Sequence, residues 1–308
     1  MSQSRSPGGE PAGTSPELRA LDWCCIGAQK AGTSTLFRLL REHPQLFLPP
    51  GKEEPIFDRP VEESEVADYL AAHFPPAAVE DRSIGTVTPQ YMSSPDTAHR
   101  FSAASPGARL VVLLRDPAQR AFSHYRMNVR RGIEKRSFAT AVDDQVSALA
   151  EGPPADPSDE TATYVYRGLY SRILSPWYER YNRDRIAVIF VDELEQDPVG
   201  TCHRIHRFLG VDPHTTGHEG LRSHADPPPH RFPGLRERVA AALRKVGLLQ
   251  LLPGERRDDL AFRIESLLAR VAPARHDRVD RASLTRLRRF YDEDRAALED
   301  LIDRRAPW

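Results

Sequence analysis

The segment IGAQKAGTST, residues 26–35, follows the apolar run LDWCC and precedes LFRLLREH. Gly27, Gly32, Lys30 and the hydroxyl residues Thr33, Ser34 and Thr35 therefore stand where a strand turns into a helix. Such a junction suits phosphate, because backbone N–H groups at a helix N-terminus face an anion and the helix dipole favours it. The common nucleotide-loop spacing G-x-x-x-x-G-K-S/T is broken here. Gly27 and Gly32 are followed by Thr33, and the loop's lysine, Lys30, lies inside it. A plain glycine turn with Thr33 as the helix N-cap would use the same residues.

Outward from this loop, strands and helices alternate. LDWCCIGA (21–28) reads as a buried strand, and TLFRLLREHP (35–44) as an amphipathic helix stopped at Pro44. VEESEVADYLAAHF (61–74) reads as a helix and SIGTVTP (83–89) as a β-branched strand. ARLVVLLRDP (108–117) is continuously apolar, the mark of a central parallel strand covered on both faces. QRAFSHYRMNVRRG (119–132) reads as a helix, YRGLYSRILSPWYERY (166–181) as another, and RIAVIFVDEL (185–194) as a strand. DPVGTCHRIHRFLG (197–210) reads as a helix with Gly210 at its C-cap, and 282–302 is strongly helix-periodic. The pattern predicts an α/β, P-loop-like, three-layer fold with a central parallel sheet flanked by helices. Residues 1–19 are expected to be a disordered tail, and 20–308 a single domain with a helical C-terminal part. In such sheets ligands sit beyond the C-terminal strand ends, here 27–35, 86–91 and 115–123.

Composition narrows the function. The 308 residues carry 43 Lys and Arg against 44 Asp and Glu, a net charge of −1, with none of the basic excess of a nucleic-acid binder. Cys24, Cys25 and Cys202 form neither a disulfide framework nor a metal site, and fit a reducing compartment. His203 and His206 in HRIHRF lack a third ligand at metal spacing. Residues 1–19 have no apolar signal core, and no run approaches the roughly 20 apolar residues of a membrane span. A cytoplasmic protein is the expectation. Only four of the basic residues are lysines, Lys30, Lys52, Lys135 and Lys245, so a lysine in the loop stands out.

A second motif is LLRDPAQRAFSHY (113–125). Arg115 leaves the end of a buried strand, and Ser123 lies in the following helix. A guanidinium grips phosphate bidentately and a hydroxyl adds a contact. Pairing of Arg115 with Asp116 is the plainer alternative, and His124 reads as structural.

Together these two stretches resemble the sulfotransferase family that uses 3′-phosphoadenosine 5′-phosphosulfate (PAPS). The resemblance spans roughly 20–300 and is sharp only in these motifs. It implies that Lys30, Ala31, Gly32, Thr33, Ser34 and Thr35 bind the 5′-phosphosulfate, and that Arg115 and Ser123 bind the 3′-phosphate. GKEEPIFD (51–58) is similar to the Lys-Glu-x-x-x-Phe-Asp segment of heparan-sulfate-type members, which implies Glu53 as the base, with Glu54 adjacent. TPQY (88–91) and RIAVIFVDELEQDP (185–198) resemble later segments. The base histidine of the small-molecule branch has no counterpart in SIGTVTPQY. Thr86-Val87 stands where glycan-type relatives often carry Glu-Lys, so Lys30 acts alone or Lys52 or an arginine substitutes. In PPPHRFPG (227–234), Arg231 would cap the 3′-phosphate or adenine.

The implied reaction moves sulfonate from PAPS to a hydroxyl or amine of a small-molecule or glycan acceptor, leaving 3′,5′-ADP (PAP), with no metal. Lys30 would stabilise the leaving phosphate. The acceptor pocket would be lined by 49–60, 86–95 and 151–170. Arginine-rich, lysine-poor usage suggests a GC-rich bacterial gene and a natural-product or cell-envelope acceptor. The competing readings are a P-loop small-molecule kinase, disfavoured by the shifted lysine, and a non-catalytic nucleotide-binding scaffold.

Overall fold

The computed structural model describes residues 20–53, 55–215 and 280–308. The expectations for the 1–19 tail, Glu54, Arg231 in its 227–234 loop, and helices across 235–279 lie outside the described residues.

The strands are β1 (Trp23–Gly27), β2 (Leu46–Phe47), β3 (Ser83–Val87), β4 (Arg109–Leu114) and β5 (Ile186–Phe190). They form one sheet in the order β2-β3-β1-β4-β5, every neighbouring pair parallel. β1 and β4 lie at its centre, so WCCIG is wholly buried and RLVVLL is buried after its first residue. Helices flank the sheet: α1 (Thr33–Arg41), α2 (Glu63–His73), α3 (Pro76–Val79), α4 (Pro95–Ala104), α5 (Pro117–Arg131) and α6 (Phe138–Glu151). The rest are α7 (Tyr170–Tyr178), α8 (Val191–Gln196), α9 (Pro198–Leu209), α10 (Arg281–Phe290) and α11 (Asp292–Ile302).

Three elements differ from the sequence reading. The 185–194 run is strand only to Phe190, where the Glu193 carboxylate accepts the Phe190 N–H at 2.9 Å and caps α8. The 166–181 run is a tight turn at Tyr166–Gly168 followed by α7, with Pro176 in its last turn. The periodic 282–302 run is two helices meeting at Tyr291, whose hydroxyl is buried and donates to the Val165 carbonyl at 2.8 Å. Strand β2 and helices α3, α4 and α6 are additions. Ser137 caps α6 by accepting the Thr140 N–H at 3.1 Å.

The topology locates the site. From β1 the chain runs through α1 toward β2 and β3, whereas from β4 it runs on to β5 on the other side. The strand order therefore reverses between β1 and β4, and the crevice of a parallel sheet opens at that reversal. The Ala28 N–H donates to the Leu113 carbonyl at 2.7 Å, tying the loop after β1 to the end of β4.

Candidate active site

The loop between β1 and α1 is shaped by two glycines. A Cβ on Gly27 would stand 2.4 Å from the Met92 sulfur, so only glycine lets the strand end pass that close. Gly32 has φ 87° and is the N-cap of α1 in place of the expected Thr33. Glycine brings no side chain to the first-turn N–H groups, and the helix has no side-chain cap hydrogen bond. Within the loop the Ala31 N–H donates to the Ala28 carbonyl and the Thr35 N–H to the Gly32 carbonyl, at 3.1 and 3.0 Å. That engages two of the five N–H groups from 31 to 35, and those of Gly32, Thr33 and Ser34 have no protein partner among the described residues. Ser34 is exposed, Thr35 half-buried and Thr33 buried. Lys30 is half-buried and held at φ 71°.

Gln29 fixes the loop from the other side. Arg167 Nη1 donates to Gln29 Oε1 at 2.6 Å, and Gln29 Nε2 donates to Glu160 Oε1 at 3.1 Å. Glu160 is in turn paired with Arg131 at 2.5 Å. Burial lowers the Arg167 pKa to about 10, with the Arg120 charge acting in the same direction. Sequence reasoning did not find this pair, since the partners are far apart in the chain and Arg167 sits in no local pattern.

The second motif meets the first. Arg115 Nη1 donates to the Lys30 carbonyl at 3.5 Å, and Arg115 Nη2 to Gln119 Oε1 at 3.4 Å. Gln119 and Ser123 are one turn apart on the partly exposed face of α5, so Arg115 and Ser123 share one side of that helix. Asp116 is not given to Arg115. It accepts the Ala118 and Gln119 N–H groups as N-cap and pairs with Arg288 at 2.8 Å. Beside Arg115 a cavity of about 350 Å³ is bounded by Val191, Asp192, Glu195, Arg288 and Trp308.

The buried side of α5 carries Arg120 and His124. Arg120 donates Nη2 to the Tyr164 carbonyl, and its Nε and Nη1 have no partner among the described residues. Burial, reinforced by Arg120, Arg167, Lys30 and Arg131, pushes the His124 pKa well below the ordinary value. His124 is thus a neutral interior ring against Tyr164, in line with its structural reading.

Glu53 sits at the end of β3 through a separate anchor. The Ile56 and Phe57 N–H groups donate to the Tyr91 hydroxyl at 2.8 and 3.3 Å, and Arg100 Nε donates to the Phe57 carbonyl at 2.8 Å. Glu53 is exposed at φ 66°; it pairs with Lys52 and receives Gln90 Nε2 at 3.4 Å. Val87 is buried in β3. Burial pushes the Cys25 thiol up to about 12 against a lowering pull from Lys52.

Residues 22–225 match the sulfotransferase domain family. The chain belongs to that family. Among relatives of this sulfotransferase is heparan sulfate glucosamine 3-O-sulfotransferase 3A1 of Mus musculus, 29% identical over 60% of this chain and 44% of the relative. Heparan sulfate glucosamine 3-O-sulfotransferase 6 of Homo sapiens is 29% identical over 66% of this chain and 56% of the relative. The chain thus spans about half the length of these relatives. A sulfotransferase structure from Alicyclobacillus acidocaldarius shares the fold, with a TM-score of 0.60, 24% identity and coverage of 92% of this chain and 96% of that one. No helix among the described residues is long and apolar enough to cross a membrane.

Proposed function

We propose that this sulfotransferase moves the sulfonate group of PAPS to a hydroxyl of a glycan or small-molecule acceptor. The contact between Arg115 and the Lys30 carbonyl carries the reading, because it joins two phosphate-suited motifs into one site. The residues present fit a nucleotide with two separated phosphates. The uncapped first turn of α1 and Lys30 suit one, and Arg115 with Ser123 suits the other.

PAPS supplies a sulfonate bound to phosphate oxygen. Glu53 accepts the acceptor's proton as its oxygen bonds to sulfur, and the bond from sulfur to the phosphate oxygen breaks. Lys30 stabilises the charge that develops on the leaving phosphate, in a site preorganised by Gln29 and Gly32. Lys52, paired with Glu53, supplies the cation that Val87 does not. The relatives' heparan sulfate names favour a glycan hydroxyl as acceptor.

Thermal unfolding with 3′,5′-ADP, 5′-ADP and Mg·ATP in parallel tests this. A ligand at about 100 times its Kd adds roughly 2.7 kcal/mol, a shift of a few degrees. Stabilisation by the 3′,5′-bisphosphate above the other two is the expected outcome. Stabilisation by Mg·ATP alone would replace the proposal with a kinase.

A further inference from the structure

Arg167 is 4% exposed, and its three hydrogen bonds all go to uncharged oxygens. Nη1 donates to Gln29 Oε1 at 2.6 Å, and Nη2 donates to the Pro157 and Ser158 carbonyls at 2.9 and 3.3 Å. Glu160, the carboxylate of this network, is committed instead to Gln29 Nε2 and to Arg131. A buried charge without a bonded counter-ion is costly, and a neutral donor would join the same oxygens without that cost. Burial lowers the Arg167 pKa to about 10, which still leaves the guanidinium charged at neutral pH. Its bond to Gln29 is therefore charge-assisted, of the stronger and more directional kind.

The turn that presents Arg167, Tyr166–Gly168, is itself pinned. Gln145 Oε1 accepts the Val165 N–H at 2.8 Å, and the Tyr291 hydroxyl donates to the Val165 carbonyl at 2.8 Å. A Cβ on Gly168 would stand 2.5 Å from the Tyr291 hydroxyl oxygen, so the turn packs directly on that side chain. From this base a single grip reaches Gln29, the residue before Lys30. Lys30 is held at φ 71°, and its carbonyl accepts Arg115. The backbone at 29–30 sets the direction in which the Lys30 side chain departs, and it is gripped from both sides.

Resting on the nucleotide reading above, we infer that Arg167 is a positioning residue for the donor loop, acting through Gln29 to aim Lys30 at the leaving phosphate. The second arm of the guanidinium, on Pro157 and Ser158, ties down the segment beside the loop and is separable from the first.

Calorimetric binding of 3′,5′-ADP to the full chain, run as a double-variant cycle, tests this. Gln29→Ala removes a half-buried side chain and cuts the first arm alone. It is expected to weaken binding roughly 10-fold, the scale of one charge-assisted hydrogen bond. Arg167→Met should lose as much affinity. Added to Lys30→Ala, either change should weaken binding little further, because the grip acts through Lys30. A purely structural role would multiply the losses. Should Arg167→Met not fold, the Gln29→Ala cycle decides alone. Wild-type affinity in Gln29→Ala, or losses that multiply with Lys30→Ala, would overturn the inference and leave the donor reading standing. Absence of 3′,5′-ADP binding to the wild type would remove both.

Discussion

Lys30 and Glu53 are two of four non-glycine residues with positive φ among the described residues. That conformation is unfavourable for a side-chain-bearing residue, and it persists where the surroundings over-determine it. Replacing Lys30 with alanine is expected to lower kcat by about 10²–10³-fold, the scale of losing one preorganised charge stabiliser. A near-normal kcat in a folded variant would take Lys30 out of the chemistry. Arg115→Ala should weaken 3′,5′-ADP binding by roughly 10- to 150-fold, as for a lost charge-assisted hydrogen bond, and 5′-ADP far less. Equal losses for the two nucleotides would mean that Arg115 does not read the 3′-phosphate. His124 gives a stability test. Its folded pKa is lowered, so the unfolded chain binds the proton first, and stability falls as pH drops below about 6.5. The slope is about 1.4 kcal/mol per pH unit for one such group. His43, also lowered by burial, acts with the same sign. His124→Phe should flatten the fall of Tm between pH 7.5 and 5.5, and an unchanged slope would place the proton elsewhere. Lys30, Arg115 and Ser123 stand out in the sequence because each sits in a local motif. Arg167 and Gln29 do not, since the partners are 138 positions apart and meet only in the fold.

The turn after β3 holds the segment that carries Glu53. Tyr91, in the turn after β3, carries two N–H groups of the Glu53 segment on one hydroxyl. Tyr91→Phe leaves both donors unsatisfied in a buried position, a cost of about 1–3 kcal/mol. Turnover should fall with 3′,5′-ADP affinity nearly unchanged, because the anchor holds the segment of the proposed base and not the loop after β1. A matching loss of nucleotide affinity would contradict that division. The buried strands β1 and β4 were readable as unbroken apolar runs. The end of β5 was not, since Val191 follows the apolar run without a break and the Glu193 cap turns the chain into α8 there. A similar cause hid the break at Tyr291, where periodicity runs through a corner made by a tertiary hydrogen bond.

Across the whole molecule the parallel topology followed from the alternation of elements, but the order of strands did not, because the same alternation fits several doubly wound arrangements. The three cysteines report on the integrity of that core. All are fully buried, and burial pushes Cys25 to about 12 and Cys202 to about 11. A thiol reagent should modify the native protein only as fast as it unfolds, and all three sites in guanidinium. Rapid labelling of any one under native conditions would show local opening of the sheet or of α9.

The central place of β1 also sets when the site is born. Its two neighbours are β3, which begins at Ser83, and β4, which ends at Leu114. β1, which leads into the Lys30 loop, leaves the ribosome before either neighbour and waits for both. Such long-range pairing folds slowly, since chain closure precedes the contacts that reward it. The proposed donor site is therefore a late product of synthesis, and added bisphosphate should speed recovery of activity during refolding only after the sheet has closed.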